Sequence, residues 1–171
     1  NGMFQRITES SGHISVRVED WRDKREFYAL LIPDATEKQA ALETIAQGAG
    51  VKAVLEVPAL LLGEVRSRGI QLLGVASPAS ETERFARDYL AEGRLPTPDA
   101  LEEIALGQAL AQALKVKLGD MTYALAPGTE GVGAMAFEVV GLLDLPEQSL
   151  EARFAYLSLP AARELAAPRA V

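Results

Sequence analysis

The single histidine, His13, follows Ser10 and Ser11 within three residues, and these are the residue types of a nucleophilic triad. No G-x-S-x-G elbow accompanies them. His13 falls on the polar side of an alternating run, so a solvent-facing histidine is expected there. One histidine and no cysteine exclude an HExxH motif, zinc–thiolate sites and iron–sulfur clusters. The carboxylate pairs Glu19/Asp20, Glu81/Glu83 and Glu102/Glu103 have the residue types of a glycosidase acid–base pair. Each is read on a cap or a turn, where an acidic chain solvates its charge. Gly128-Thr129-Glu130-Gly131-Val132-Gly133 is glycine-rich, but its spacing is GxxGxG rather than GxGxxG. It also joins two strands and lacks the helix N-terminus that holds phosphate. No GK[ST] occurs, which excludes a P-loop. Trp21 and Tyr28 read as core or rim packing. These residues supply no catalytic set, no cofactor site and no metal site. The expectation is a binding or mechanical module rather than an enzyme.

The elements that carry these residues follow from size and pattern. The 171 residues are 49% apolar, 24% charged and 6% aromatic, which suits one domain or one domain with two lobes. Such a chain buries enough surface to fold without disulfides or a metal. Acids outnumber bases 24 to 17, for a net charge of −7, so nucleic acid and anionic bilayers are not expected partners. No apolar run reaches the roughly 18 residues of a membrane span. The longest, Ala53 to Leu62, is broken by Glu56 and Pro58. The first residues lack the apolar stretch of a signal peptide. The first methionine is Met3, and we expect a piece of a longer protein.

Alternation at His13 to Val18, with Ile14, Val16 and Val18 on one side, predicts a half-buried strand. Residues 19 to 27 read as a charged loop or edge, and Tyr28 to Ile32 as a short apolar run. Asp34 and Glu37 form a capping-box pair opening a helix with the stripe Ala41, Leu42, Ile45 and Ala46, stopped near Gly48. Val51, Ala53, Leu55 and Val57 predict a strand, Arg68 to Val75 another, with a hairpin end at Gly63 to Gly69. Ser77-Pro78 and Ser80/Glu83 start a helix that Gly93 should end. Glu103 to Leu106 is a short strand, and Gly107 opens a helix carrying Leu110 and Leu114. Gly119-Asp120 is a turn. Met121, Tyr123 and Leu125 alternate, as do Met135, Phe137 and Val139, and Pro127 to Gly133 joins them as a loop. Arg153 to Leu159 is a last strand and Pro160 begins a last helix. About seven strands and four helices make an α+β or mixed α/β chain rather than a doubly wound parallel sheet.

The order of short motifs is more informative than any one of them. GHISV (Gly12 to Val16), GAGVKAV (Gly48 to Val54), IQLLGV (Ile70 to Val75), AEGR (Ala91 to Arg94), EIALGQALAQALKVKLGD (Glu103 to Asp120), FEVVGLL (Phe137 to Leu143) and YLSLPAARELA (Tyr156 to Ala166) follow one another. This succession resembles the extracytoplasmic core domain of FtsX-like ABC transporter permeases, the MacB-type group. GHISV is similar to the lipoprotein-releasing LolC/LolE-like branch. The long motif is similar to the family pattern EivLG..lA..Lgv.vGD.

The resemblance implies an α+β, two-lobed periplasmic core domain. A porter-like βαβ lobe would span about 1–62 plus 153–171, with an inserted β-rich lobe at about 63–152. It implies an integral membrane parent, with this domain on the outer side of the bacterial cytoplasmic membrane. There it would couple cytoplasmic ATP hydrolysis to export or release of a lipoprotein, lipid, peptide or drug-like substrate. The implied partners are an ABC ATPase subunit reached through the transmembrane part, a second permease subunit, and a periplasmic adaptor or carrier. No catalytic residue and no cofactor are implied. A ligand- or peptide-sensing ectodomain of an FtsX-like signalling permease is the alternative. Gly93, Arg94, Gly107, Gly119 and Asp120 are expected to be structural punctuation, with Arg94 pairing to a nearby carboxylate or carbonyls. The segment Pro127, Gly128, Thr129, Glu130, Gly131, Val132 and Gly133 is the candidate partner-contact loop. It stands where the lipoprotein-releasing permeases have a long carrier-recruiting hook, and its shortness argues against carrier recruitment here. The family pattern continues past the last helix, so a strand edge left unpaired or paired with another chain is expected in the first lobe.

Overall fold

The structure is a computed structural model that describes residues 16, 17, 19, 20, 22, 23, 32, 35–46, 50–128 and 131–166. The chain divides into two compact units, Asn1–Val51 and Lys52–Val171.

In the first unit, helix α1 (Ala35–Ile45) forms where the capping pair predicts it, although Asp34 itself lies outside the described residues. The helix is braced on its surface by Gln39 donating from Nε2 to Glu43 Oε1 at 3.1 Å, an i,i+4 pair. Its apolar stripe is partly covered: Leu42 and Ala46 are half-buried, whereas Ala41 and Ile45 are exposed, Ile45 by 74%. Of the expected strand at His13 to Val18, only Val16 and Arg17 are described. Neither is in a strand, and Val16 is exposed. The charged run beyond it turns as expected, with the Asp23 N–H on the Asp20 carbonyl. Gly48, Trp21 and Tyr28 lie outside the described residues.

The second unit is built on seven strands: β1 (Ala53–Leu62), β2 (Ser67–Ala76), β3 (Leu90–Gly93), β4 (Glu103–Gly107), β5 (Met121–Gly128), β6 (Gly131–Leu143) and β7 (Phe154–Ser158). Their order is β3-β6-β4-β7-β2-β1-β5, and β5 pairs again with β6. Six strands therefore close into a ring, with β3 an extra strand on β6. The pairings β2–β7 and β4–β6 are parallel, and the others are antiparallel. Closure removes strand edges. The unpaired edge expected in the first lobe is accordingly absent from β1 and β7, each of which has a partner on both sides.

Closure is possible because β6 is long enough to serve two neighbours in turn. Gly131 to Glu138 pairs with β5, and Glu138 to Leu143 pairs with β4. Beyond the start of β5, the strand β3 takes the free side, pairing Gly93 with Gly141. Gly93 thus corrects the sequence expectation: the helix α2 (Ala79–Tyr89) ends at Tyr89, and Leu90–Gly93 is strand. Four residues are too few for a visible alternation; the pairing is conferred by β6.

Inward positions carry Val57, Leu61, Ile70, Leu72, Phe137 and Val139, all buried. The last helix, α5 (Leu159–Ala166), turns back from the end of β7 and fills one end of the ring, touching β1, β2, β5, β6 and β7. Ser158 caps it. Its Oγ accepts the Ala161 N–H at 3.1 Å and donates to the Ala100 carbonyl at 2.5 Å, satisfying an orphan helix donor. Two glycines let the helix approach: a Cβ at Gly74 would collide with the Ala162 methyl, and one at Gly133 with the Leu165 carbonyl. On the outside, α2 covers β7, with the Phe85 ring stacked on Tyr156 at 5.3 Å. Burial there pushes the Tyr156 phenol up to about 12.

Helix α3 (Gln108–Leu114) ends on Lys115 in the left-handed conformation, φ 59°, ψ 41°. Lysine is strained there and its side chain is exposed, whereas glycine adopts this geometry freely. Lys115→Gly should therefore raise stability, by up to about 1 kcal/mol, read as a higher urea midpoint at unchanged m-value. An unchanged or lower midpoint would show that the strain is already relieved in solution.

Candidate functional site

Three of the dispersed motifs of the second unit converge on one strand segment, Glu138 to Leu143 of β6. On one side, Gly93 faces Gly141 with φ +77°, and the Arg94 N–H bonds the Val140 carbonyl at 2.9 Å. On the other, Glu103 faces Glu138, and the Glu138 N–H bonds the Glu102 carbonyl at 2.7 Å. The Gly119-Asp120 turn joins from the β5 side: the Gly119 N–H reaches the Val139 carbonyl at 2.8 Å, and the Val139 N–H reaches the Asp120 carbonyl at 2.9 Å. AEGR, the ends of the EIALG…GD motif, and FEVVGLL are thus one hydrogen-bonded assembly.

Each residue has a local physical role. Gly119 has φ +84° with open space around it, so the turn needs its dihedral freedom. Asp120 closes that turn, its Oδ2 accepting the Lys117 N–H at 3.0 Å. Gly107 ends β4 and caps α3. Its φ −57°, ψ 140° suits any residue. Glycine is required because the Glu151 carbonyl, at the end of the short helix α4 (Gln148–Glu151), lies where a Cβ would stand.

Arg94 straddles β6 to reach Glu103. Its Nη1 donates to Oε2 at 2.8 Å and its Nη2 to Oε1 at 2.5 Å, with a further Nη1 bond to the Leu95 carbonyl at 3.2 Å. Thr97 adds its N–H to Oε2 at 2.9 Å. The fork geometry is the strong form of a carboxylate pair. The Arg94 hydrogen bond, then those of Thr97, hold the Glu103 carboxyl down at about 2 against an ordinary 4.5. The Arg94 side chain is 53% exposed, so solvent keeps the clasp to about 0.5–1 kcal/mol. A depressed carboxyl stabilises above its unfolded value and stops doing so as it protonates in the fold. Arg94→Ala should cost that amount at pH 7, and the difference from the parent should vanish between pH 4.5 and pH 2. Parallel urea melts across that range measure it; a penalty that persists at pH 2 would remove the clasp as its cause.

The glycine-rich segment is mostly strand rather than loop. Pro127 faces Val132 and Gly128 faces Gly131, so the ladder runs to the tip of a hairpin. Gly131 has φ +129°, and Val132 is 72% exposed. Gly133, in contrast, is buried under the end of α5. Thr129 and Glu130 lie outside the described residues. Behind the hairpin runs an apolar outer face. Met121, Tyr123 and Leu125 alternate as predicted, but outward, with Met121 and Tyr123 about half exposed. Leu60 and Leu62 of β1 stand beside Leu125 and Tyr123, and Ala134 and Ala136 of β6 stand on their other side. Alternation gives a strand its two faces without saying which is buried; here Thr122, Ala124 and Ala126 go in.

No catalytic set assembles among the described residues. Glu19/Asp20 and Glu102 are exposed, Glu83 lies on the surface of α2, and Glu103 is held by Arg94. Among the described residues no group of three His, Cys, Asp or Glu could hold a metal. His13, Ser10 and Ser11 lie outside them. No described helix is long and apolar enough to cross a membrane.

No protein-family model matches the chain, and no curated protein matches it. Among solved structures, the chain is similar to the extracellular domain of the noncanonic ABC-type transporter YknZ from Gram-positive bacteria. The identity is 16%, the TM-score 0.43, and the match covers 64% of this chain and 53% of that one. The chain therefore spans about half the length of the domain it matches.

Proposed function

We infer that the chain is an extracytoplasmic domain of an FtsX-like ABC transporter permease, working as a mechanical and partner-contact element. The observation that supports this most is the convergence on β6. Three motifs read in order along the sequence for their likeness to that family, AEGR, EIALG…GD and FEVVGLL, are also neighbours in space and bonded to one another. They brace a strand. In this reading ATP hydrolysis by a cytoplasmic subunit moves the domain, and the motion exports or releases a substrate.

The finer features belong to the same proposal. The two-lobed porter-like arrangement, the LolC/LolE-like branch, a second permease subunit and a periplasmic adaptor are its expected context. The hairpin from Pro127 to Gly133, with exposed Val132 at its tip, is the proposed contact for a partner protein. A topology experiment tests the reading. The chain has no cysteine, so in a full-length parent with any cysteine outside this chain replaced, a single one placed at exposed Glu64 reports its side of the membrane. Labelling of intact cells or spheroplasts by an impermeant maleimide is expected. Labelling only after lysis, or polar coding sequence on both flanks, would overturn it.

A further inference from the structure

Independently of the transporter reading, a cleft at the other end of the ring from α5 has a chemistry of its own. It measures about 380 Å³ and is lined by Arg68, Gly69, Ala113, Ala152 and Arg153. The parallel pairing of β2 with β7 brings its two arginines together. The Gln71 N–H bonds the Arg153 carbonyl at 2.8 Å, and Gln71 faces Phe154 in the register. Arg68 and Arg153 therefore stand near the starting ends of adjacent strands. The β1–β2 turn holds the third wall in place, because Gly63 lies directly against Leu114 and Val116 at the end of α3.

The composition of the cleft is selective. Its neutral walls are glycine and alanine, which take up little space. No described carboxylate lines it, although the chain carries 24 acids and a net charge of −7. Neither arginine forms an ion pair with a described carboxylate. Two guanidinium groups on one cleft repel one another, and an anion between them turns that repulsion into attraction. Guanidinium forks match the oxygens of phosphate two at a time. The volume lies at the lower end of the range for small-ligand sites, roughly 300–1,000 Å³.

We propose that this cleft binds a phosphate-type oxyanion between Arg68 and Arg153, supplied as free phosphate or as the headgroup of an anionic phospholipid. Both side chains are exposed, so their truncation leaves the core untouched. Arg87, exposed on α2, provides the control. In the purified chain, inorganic phosphate titrated against chloride at matched ionic strength should shift the amide resonances of Gly69, Ala113 and Ala152. Arg68→Ala and Arg153→Ala should each weaken that binding about tenfold or more, in line with a lost charged hydrogen bond, and Arg87→Ala should not. A second arm measures co-sedimentation with vesicles of phosphatidylcholine alone and of phosphatidylcholine with phosphatidic acid. Arginine-dependent phosphate binding without vesicle binding identifies a free oxyanion. Binding to the phosphatidic acid vesicles that both variants lose identifies a headgroup. Absence of binding in both arms, or binding that survives Arg68→Ala combined with Arg153→Ala, would overturn the site.

Discussion

Gly133→Val should lower the stability of the second unit by about 2–4 kcal/mol, seen as a fall of roughly 8–15 °C in Tm. The position looks harmless in sequence, one glycine of three near a hairpin tip. In the fold a side chain there would occupy the space of the Leu165 carbonyl. The helix cannot retreat freely. Its first turn is held by the Ser158 cap, and its middle is seated where Gly74 meets Ala162. Either α5 leaves the ring or β6 bends away from it, and both expose buried Leu165 and Ala166. Gly69→Ala is the matched control, since nothing lies within 4 Å of its Cβ position. That change should stay within about 0.5 kcal/mol. Equal melting of Gly133→Val and the parent would mean that α5 does not fill the ring.

Phe137→Ala and Tyr123→Ser should part company by several kcal/mol, although both rings lie on one hairpin and both alternate with smaller neighbours. Phe137 is fully buried inside the ring, and its truncation should cost about 3–5 kcal/mol through lost burial and the cavity left behind. Tyr123 is 57% exposed on the outer face. Its replacement should cost at most about 1 kcal/mol, the scale of strand propensity, and should improve solubility by interrupting the apolar surface. Urea denaturation of the two variants decides this. A Tyr123→Ser penalty as large as that of Phe137→Ala would show that the outer face is covered in solution.

Local chemistry was well marked in the residues. The turn at Gly119-Asp120, the strand at Glu103 to Leu106, the helix after Gly107 and the final strand and helix all appear where glycine, proline and alternation place them. Arg94 was expected to find a carboxylate or carbonyls, and it finds Glu103 and Leu95. Gly93 was misread and two further points were left open, for one cause. Whether Gly93 ends a helix or pairs in a strand, whether Tyr123 faces in or out, and why Gly107 has no side chain all depend on a segment distant in sequence. For Gly93 that segment is β6; for Gly107 it is the end of α4. The cleft between Arg68 and Arg153 left no sequence signal, because 84 residues of chain lie between two arginines that strand pairing makes neighbours.

The sequence by itself determined that catalysis by thiol, zinc–thiolate or paired histidines has no residues to run on, and where most strands and helices start and stop. Those are matters of residue type and short-range periodicity. Only the tertiary structure decided that six strands close on themselves, that α5 plugs the ring, and that three of the scattered motifs meet at one stretch of β6. Closure is a non-local choice: β6 must meet β5, β4 and β3 in turn, and the free energy of those pairings depends on which partner arrives on each side.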